Sequence, residues 1–238
     1  MSSITWTPAE VRSSAVFYNA TVWRFVESQY RLATIDLVDS LSEQALLEAL
    51  LENSPPFIPD PLEGLHPLLA TPFRYRPSSS SRFRSPHQPG VFYAAETHKS
   101  AAAEMAYHRW RFLNDSLDLE HLDPTNFIAF SLPLETLAAD LTKDPLVRDF
   151  LIWTKKDDYS QTQEFANITR VATIPAIVYE SVRDPERGRC VAVLDPAAFV
   201  NKDPDTQWEN WILTITPTRA IWVSLETSIE FHTSVWAS

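Results

Sequence analysis

The chain has 238 residues, of which 45% are hydrophobic and 12% aromatic, which is enough for one sizeable core and does not require a second domain. The 31 acidic residues outnumber the 20 basic ones and give a formal net charge of -11, which argues against a nucleic-acid-binding surface. Cys190 is the single cysteine, so an internal disulfide and a multi-thiolate metal site are excluded. No signal-peptide pattern and no membrane-spanning apolar window is present, and we expect a cytoplasmic protein.

Glycine is scarce, with Gly64, Gly90 and Gly188 only. Loops that bind phosphate through backbone N–H groups need several glycines within a few residues. A nucleotide bound by this chain must therefore be held by side chains. The 6 histidines form neither a HExxH helix nor a Cys/His array, so we expect no metal site.

The N-terminal part, residues 8–52, is predicted to be helical. Pro8 lies near the start of the first helix, and a partly apolar face is formed by Val16, Tyr18, Val22, Phe25 and Tyr30. A capping box from Ser40 to Glu43 begins a second helix. These helices either pack on the main core or bind a partner, and the sequence leaves both open, together with a homo-oligomer.

Residues 53–72 are interrupted by prolines, which disfavour a regular helix or a central strand and predict an extended connection. We therefore predict an N-terminal helical extension with its proline-rich connection over residues 1–67, and a main domain over residues 68–238. Within that domain, the serine run at 78–81 is flanked by arginines. It forms either a solvated loop or a loop that orders over an anionic ligand.

The main domain mixes strands and helices without a regular βαβ alternation. A short buried strand is predicted at 91–95, and a helix that contains Glu104 follows the cap residue Thr97 over 98–112. Further strands are predicted at 127–132, 172–179, 189–194, 211–216 and 220–225. This pattern predicts an α+β fold with a mainly antiparallel β core flanked by helices.

The stretch from Arg74 to Arg109 combines a cluster of arginines, an aromatic strand and the carboxylate of Glu104. Guanidinium groups suit pyrophosphate oxygens, an aromatic face suits a flat base, and a carboxylate stabilises positive charge on a sugar. These three chemical needs coincide in NAD.

Several short motifs follow one another in a recognisable order. They are Arg74-Tyr75, Arg82-Phe83, Gly90-Val91-Phe92-Tyr93, Ala101-Ala102-Ala103-Glu104 and Tyr179-Glu180-Ser181-Val182-Arg183. In this order of motifs, roughly from Leu68 to Phe199, the chain resembles the RES domain family. The resemblance implies an ADP-ribosyltransferase-like fold and a toxin that consumes NAD and is neutralised by an Xre-type antitoxin.

The resemblance also implies roles for individual residues. Catalysis is assigned to Glu104, assisted by Tyr93 and Arg74, and NAD binding is assigned to Arg74, Tyr75, Arg82, Tyr93 and Ser181. Ser181 has no accompanying histidine motif, so it is expected to position the substrate. The segment that starts at Tyr159 and leads to Arg170 is expected to form a helix beneath the pocket.

Two departures from the family pattern leave alternatives open. Glu180 precedes Ser181 where proline or glycine is frequent, and it could add a carboxylate near the pocket. Arg76 or Arg84 could take the role given to Arg74 or Arg82.

The expected activity is cleavage of NAD at the nicotinamide–ribose bond, by hydrolysis or phosphorolysis. NAD is then a substrate, and no cofactor is expected. Two other functions stay open, a protein mono-ADP-ribosyltransferase that uses NAD and a non-catalytic module that binds a nucleotide or a protein.

Overall fold

The computed structural model describes residues 4–28, 40, 42–43, 46, 62–116, 119 and 121–237. Eight strands within these residues form one sheet. In chain order they are β1 (Val16–Glu27), β2 (Phe92–Ala95), β3 (Leu122–Asp140), β4 (Ala176–Glu180), β5 (Arg189–Val193), β6 (Glu209–Ile215), β7 (Arg219–Val223) and β8 (Ser228–His232). Their order in the sheet is β1-β2-β5-β4-β3-β6-β7-β8.

Five of the strands close into a ring, because β1 pairs with β2 on one side and with β3 on the other. The β1–β3 ladder runs from Val16 opposite Ala138 to Glu27 opposite Phe127. All strand pairs are antiparallel except β3–β4, which is parallel. The predicted α+β fold with a mainly antiparallel core is therefore confirmed.

Helices lie around this sheet. They are α1 (Pro8–Ser14), α2 (Pro67–Arg74), α3 (His98–Asp115), α4 (Phe150–Trp153) and α5 (Ser160–Val171), with 3₁₀ turns at Leu146–Asp149, Pro196–Ala198 and Thr233–Val235. Thr97 opens α3, and its side chain accepts a hydrogen bond from the N–H of Ser100. The predicted threonine cap is confirmed. No helix in the described part of the chain is long and apolar enough to cross a membrane.

Alternate residues of the ring strands face opposite sides, and this produces two hydrophobic cores. The inner core draws on all five ring strands and on α2, and includes Val22 and Phe92. The outer core includes Phe25 and Tyr179, and covers them with α1, α3, α4, α5 and strands β6 to β8. Tyr93 packs against the outer core, and α3, the helix that carries Glu104, covers part of it.

The helical prediction is wrong for residues 16–27, which form β1 and belong to the sheet. β1 contributes Tyr18 and Val22 to the inner core and Phe25 to the outer core, and the outer face also carries Phe17, which is exposed. Apolar residues therefore occur on both faces of β1, and its sequence lacks a clean two-residue alternation even though burial largely alternates. Its aromatic and β-branched residues favour a strand once β3 offers a partner. These residues are therefore not part of a helical extension outside the domain.

The extended-connection prediction is wrong for residues 67–72, which belong to α2 (Pro67–Arg74). Pro67 occupies the first helical position, where a missing N–H costs little, and Pro72 lies near the C-terminal end, where one hydrogen bond is lost. A Cβ atom at Gly90 would lie 1.5 Å from the Pro72 carbonyl oxygen. Glycine at this position therefore allows α2 to pack closely on the chain that enters β2.

The remaining strand predictions are confirmed at β2 to β7 with shifted ends, and β8 was not predicted. Most of the second predicted helix lies outside the described residues. At its start the Ser40 hydroxyl accepts a hydrogen bond from the N–H of Glu43, as one half of a capping box does.

Reciprocal substitutions at neighbouring β1 positions test its strand geometry. Val22 is fully buried and Thr21 is exposed. We expect Val22→Thr to lower the free energy of unfolding by about 1–3 kcal/mol, because a hydroxyl is buried without a partner. Thr21→Val should change it by less than about 0.5 kcal/mol. Urea denaturation measures both, and equal effects would contradict the assignment of β1.

Candidate active site

Glu104 and Ser181 are in direct contact. Glu104 lies on α3, and Ser181 directly follows β4. The buried Ser181 hydroxyl donates to Glu104 Oε1 over 2.5 Å, and its oxygen accepts the N–H groups of Arg183 and Asp184 at 3.1 and 3.0 Å. These bonds fix the serine in one orientation, which suits a positioning role better than nucleophilic attack.

A second contact joins the same two elements one helical turn before Glu104. Ser100 donates to the buried Asp184 carboxylate over 2.6 Å. That carboxylate also accepts the N–H groups of Glu186 at 3.0 Å and Gly188 at 3.3 Å. A Cβ atom at Gly188 would lie 2.0 Å from Ser100 Oγ, so glycine allows the loop to approach the helix.

A third contact lies one turn after Glu104. The Arg183 guanidinium carbon lies 3.5 Å from the centre of the Tyr107 ring. Ser100, Glu104 and Tyr107 are spaced by four and three residues and so share one face of α3. This face holds the loop at 181–188 along its length.

Tyr93 holds the loop that carries Arg82. Its hydroxyl is 2.8 Å from Ser81 Oγ and accepts the N–H of Phe83 over 3.0 Å. Burial raises the pKa of Tyr93. The neutral hydroxyl therefore fixes both residues that flank Arg82.

The same loop is anchored by α5, the helix that the sequence predicted beneath the pocket. Thr162 Oγ1 donates to the Arg82 carbonyl over 2.6 Å, and Gln163 Nε2 donates to the Ser81 carbonyl over 2.9 Å. Gln163 Oε1 accepts the Ser85 hydroxyl over 3.2 Å. α5 therefore fixes the backbone of the loop from which Arg82 projects.

The Arg82 guanidinium is buried. Its Nη1 donates to the carbonyls of Trp153 and Lys155 at 3.1 and 3.0 Å. Its central carbon lies 4.6 Å from the centre of the Tyr159 ring. Arg82 therefore holds the chain that joins α4 to α5.

Four of the residues predicted for the site converge around Tyr179. Burial is the main reason why the pKa of Tyr179 is raised well above its usual value, and the charge of Glu104 raises it further while Arg82 lowers it. Phe83, whose N–H donates to the Tyr93 hydroxyl, has its ring centre 4.9 Å from that of Tyr179.

Ser181 contacts Glu104 and accepts the N–H of Arg183. The side chains of Arg183 and Arg82 both contact Tyr159. The structure therefore brings Arg82, Tyr93, Glu104 and Ser181 into one cluster.

The other predicted residues lie as follows. Arg74 ends α2, and its guanidinium carbon is 5.8 Å from the centre of the exposed Tyr75 ring. Arg76 is exposed, whereas Arg84 is buried and its Nη1 lies 3.4 Å from the Pro77 carbonyl oxygen. The roles of Arg74 and Tyr75 in binding NAD stay predictions.

Glu180 forms an ion pair with Arg187. Its carboxylate therefore has a partner outside the Glu104–Ser181 pair. Sequence reasoning did not single out Ser100, Asp184 or Arg183 as functional. The available signals were the Ser-x-Arg-Asp run that begins at Ser181 and the helical spacing of Ser100 from Glu104.

A cavity of about 1040 Å³ lies apart from this cluster, beside the start of α3. Its walls combine aromatic rings and carboxylates and include Trp23, His98, Asp205, Trp208, Glu209 and Trp211. None of Arg82, Tyr93, Glu104 or Ser181 lines it. The cluster is the candidate site, because it joins an arginine, a tyrosine, a carboxylate and a serine, whereas the cavity contains none of these four residues.

The fold and the cluster define an α+β domain in which a helix carboxylate meets a buried serine beside an arginine and a tyrosine. A family model described as the RES domain matches residues 61–212. The match covers more than half of the chain, and the chain therefore belongs to the RES domain family. All four residues of the cluster lie within the matched range.

Among solved structures, the chain is similar to one in the crystal structure of the M. tuberculosis MbcT–MbcA toxin–antitoxin complex. The TM-score is 0.47 at 11% sequence identity, over 97% of this chain and 94% of that chain. A comparison with curated proteins found no match.

Asp184 is expected to hold the cluster together. Asp184→Asn leaves one acceptor oxygen for three donors, and we expect it to lower the free energy of unfolding by about 1–3 kcal/mol. Asp195→Asn is the matched control, because Asp195 is exposed and asparagine caps a helix equally well. Urea denaturation checks both variants, and equal stability of Asp184→Asn and the parent would contradict this role.

Proposed function

We propose that this chain is a RES-family toxin that cleaves NAD at the nicotinamide–ribose bond and is neutralised by a cognate antitoxin of the Xre type. The observation that carries the proposal is the contact between Glu104 and Ser181, inside the family match and beside Arg82 and Tyr93. NAD is the substrate in this proposal, and no further cofactor is involved.

The reaction needs little acid catalysis. When the C–N bond breaks, its electron pair passes to the ring nitrogen, and nicotinamide leaves as a neutral molecule. Positive charge develops on the ribose carbon, which then bonds to water or phosphate, and water loses a proton in that step. The protein's task is to hold NAD in place and to stabilise this charge.

Glu104 has the geometry for that task. Ser181 donates to Oε1, and Oε2 accepts from no residue in the described part of the chain. Oε2 is therefore available to a ribose hydroxyl, while the carboxylate charge faces the developing cation. Ser181 keeps the carboxylate in one rotamer, which removes the cost of orienting it during the reaction.

The remaining residues bind the dinucleotide in this proposal. Arg82 supplies charge for the pyrophosphate, and Arg74 contributes a further guanidinium to the same dinucleotide. Tyr75 is 56% exposed, so its ring is available for stacking on a base. Tyr93 fixes the Arg82 loop through its hydroxyl and presents its ring to the same cluster.

A charge-removing substitution tests the catalytic assignment. Glu104→Gln retains an oxygen for Ser181, and we expect it to slow nicotinamide release from NAD by about 100-fold or more. Glu180→Gln is the matched control and should keep nearly all activity, because Glu180 pairs with Arg187. Release is measured with and without phosphate, and phosphate dependence identifies phosphorolysis.

The results of these NAD assays distinguish NAD cleavage from the two alternative functions. Equal release by Glu104→Gln and the parent would refute the role of Glu104. Transfer of label from NAD to protein without free ADP-ribose would favour a protein mono-ADP-ribosyltransferase. NAD binding with no turnover in the parent would favour a binding module.

An antitoxin follows from the proposed activity, because an enzyme that consumes cytoplasmic NAD harms its own cell. We expect expression of the parent alone to arrest growth and to lower cellular NAD, and Glu104→Gln to do neither. Co-expression with the product of the adjacent reading frame should restore growth and yield a complex on size-exclusion chromatography. Growth arrest that persists with no complex would refute this partner.

A further inference from the structure

Two buried arginines meet at one tyrosine beside the candidate site. Arg82 lies over the Tyr159 ring, and Arg183 Nη2 donates to the Tyr159 hydroxyl over 3.0 Å. Arg183 Nη2 also donates to the Lys156 carbonyl over 2.5 Å. The chain from 153 to 159 is therefore held by both guanidinium groups.

The acceptors around this pair are nearly all uncharged. Arg82 donates to two backbone carbonyls, and Arg183 donates to a carbonyl and a phenol. The nearest carboxylate of an ion pair is that of Asp157, 3.7 Å from Arg183 and 61% exposed, whereas the Arg183 side chain is 1% exposed. Guanidinium groups stay charged in proteins, so the two positive charges are poorly compensated.

Arg183 also retains an unused donor. Its Nη1 is buried and has no hydrogen-bond partner among the described residues. Such a group is uncommon in folded proteins and calls for an explanation. Arg189 also has a buried Nε without a partner, but its guanidinium forms ion pairs with Glu96 at 3.0 Å and Asp140 at 2.9 Å, so its charge is compensated, which that of Arg183 is not.

Arg183 is joined to the candidate site through its backbone and its side chain. Its N–H donates to Ser181 Oγ, and its guanidinium stacks on Tyr107, one turn from Glu104. An anion that reached both Arg82 and Arg183 would therefore lie next to the Glu104–Ser181 pair.

We propose that Arg183 and Arg82 together bind the pyrophosphate of NAD, with Arg183 in the position that the family resemblance assigns to Arg74. The pyrophosphate oxygens replace the carbonyls of Lys155 and Lys156 as acceptors, since charge-assisted hydrogen bonds are stronger than those to neutral oxygens. Lys155 and Lys156 are exposed, so the turn that carries these carbonyls can yield to a ligand. This inference rests on the proposed function.

A comparison of two substrates tests it. Nicotinamide riboside has the scissile bond of NAD but no pyrophosphate. We expect Arg183→Gln to lower kcat/KM for NAD at least tenfold and to change that for nicotinamide riboside less than about threefold. Arg183→Lys keeps the charge and loses the planar guanidinium, so its kcat/KM for NAD should lie between those of Arg183→Gln and the parent.

Two other arginines serve as references. Arg109→Gln is the matched control, because Arg109 also stacks on an aromatic ring, that of Phe127, and pairs with Glu27 away from the cluster. Arg109→Gln should leave kcat/KM unchanged for both NAD and nicotinamide riboside. An equal loss for both substrates in Arg183→Gln would overturn the inference in favour of a structural role. A loss selective for NAD in Arg74→Gln but not in Arg183→Gln would also overturn it.

Binding of ligands that the protein cannot cleave tests the anion site separately from NAD cleavage. Titration calorimetry with inorganic pyrophosphate and with ADP should show binding to the parent and to Glu104→Gln, and at least tenfold weaker binding to Arg183→Gln. Pyrophosphate binding in a protein that does not cleave NAD would support the anion site and refute the cleavage. Absence of pyrophosphate and ADP binding in the parent would refute the anion site.

A measurement on the parent protein covers the case in which Arg183→Gln does not fold. Hydrogen exchange of the backbone amides at 153–159 should change on addition of pyrophosphate, because the arginines exchange their carbonyl acceptors for the anion. Unchanged exchange in this segment at saturating pyrophosphate would overturn the inference.

Discussion

The hydrogen bond between Glu104 and Ser181 is the interaction on which the candidate site depends. It joins a helix to the end of a strand that lies far away in the sequence, so it exists only when α3 is seated correctly on the loop at 181–188. Ser100 and Tyr107 secure this seating one turn to either side. The buried Asp184 carboxylate and the buried Ser181 hydroxyl are then tolerated because each has hydrogen-bond partners on the neighbouring element.

The closed ring of strands provides the platform for this arrangement. Because β1 bridges β2 and β3, the ring has an inner core that is filled by its own side chains, and its outer face is free to bind helices. Tyr93 and Tyr179 project from that outer face, α3 brings Glu104, and α5 fixes the Arg82 loop. The cluster thus combines residues from a strand, a helix and two loops, each held by a different part of the fold.

The order of the motifs along the chain was sufficient to select Arg82, Tyr93, Glu104 and Ser181, and the structure places these four residues together. Local sequence patterns also predicted α3 with its threonine cap and strands β2 to β7, because the apolar runs of these elements end at clear turn signals. β1 was mistaken for a helix because both of its faces carry apolar residues, including the exposed Phe17, so the sequence shows no clean two-residue periodicity. α2 was missed because its prolines occupy positions that a short helix tolerates.

By itself, the sequence determined the fold class, the family and the residue types that suit a dinucleotide, because local periodicity and motif order are properties of neighbouring residues. Only the tertiary structure decided which arginines stand beside the carboxylate. Arg82 and Arg183 are oriented by backbone carbonyls of residues 153–156, and every residue carries a carbonyl, so no pattern of side chains reveals these partners. Burial and the position of a donor relative to its acceptor are set by the folded chain.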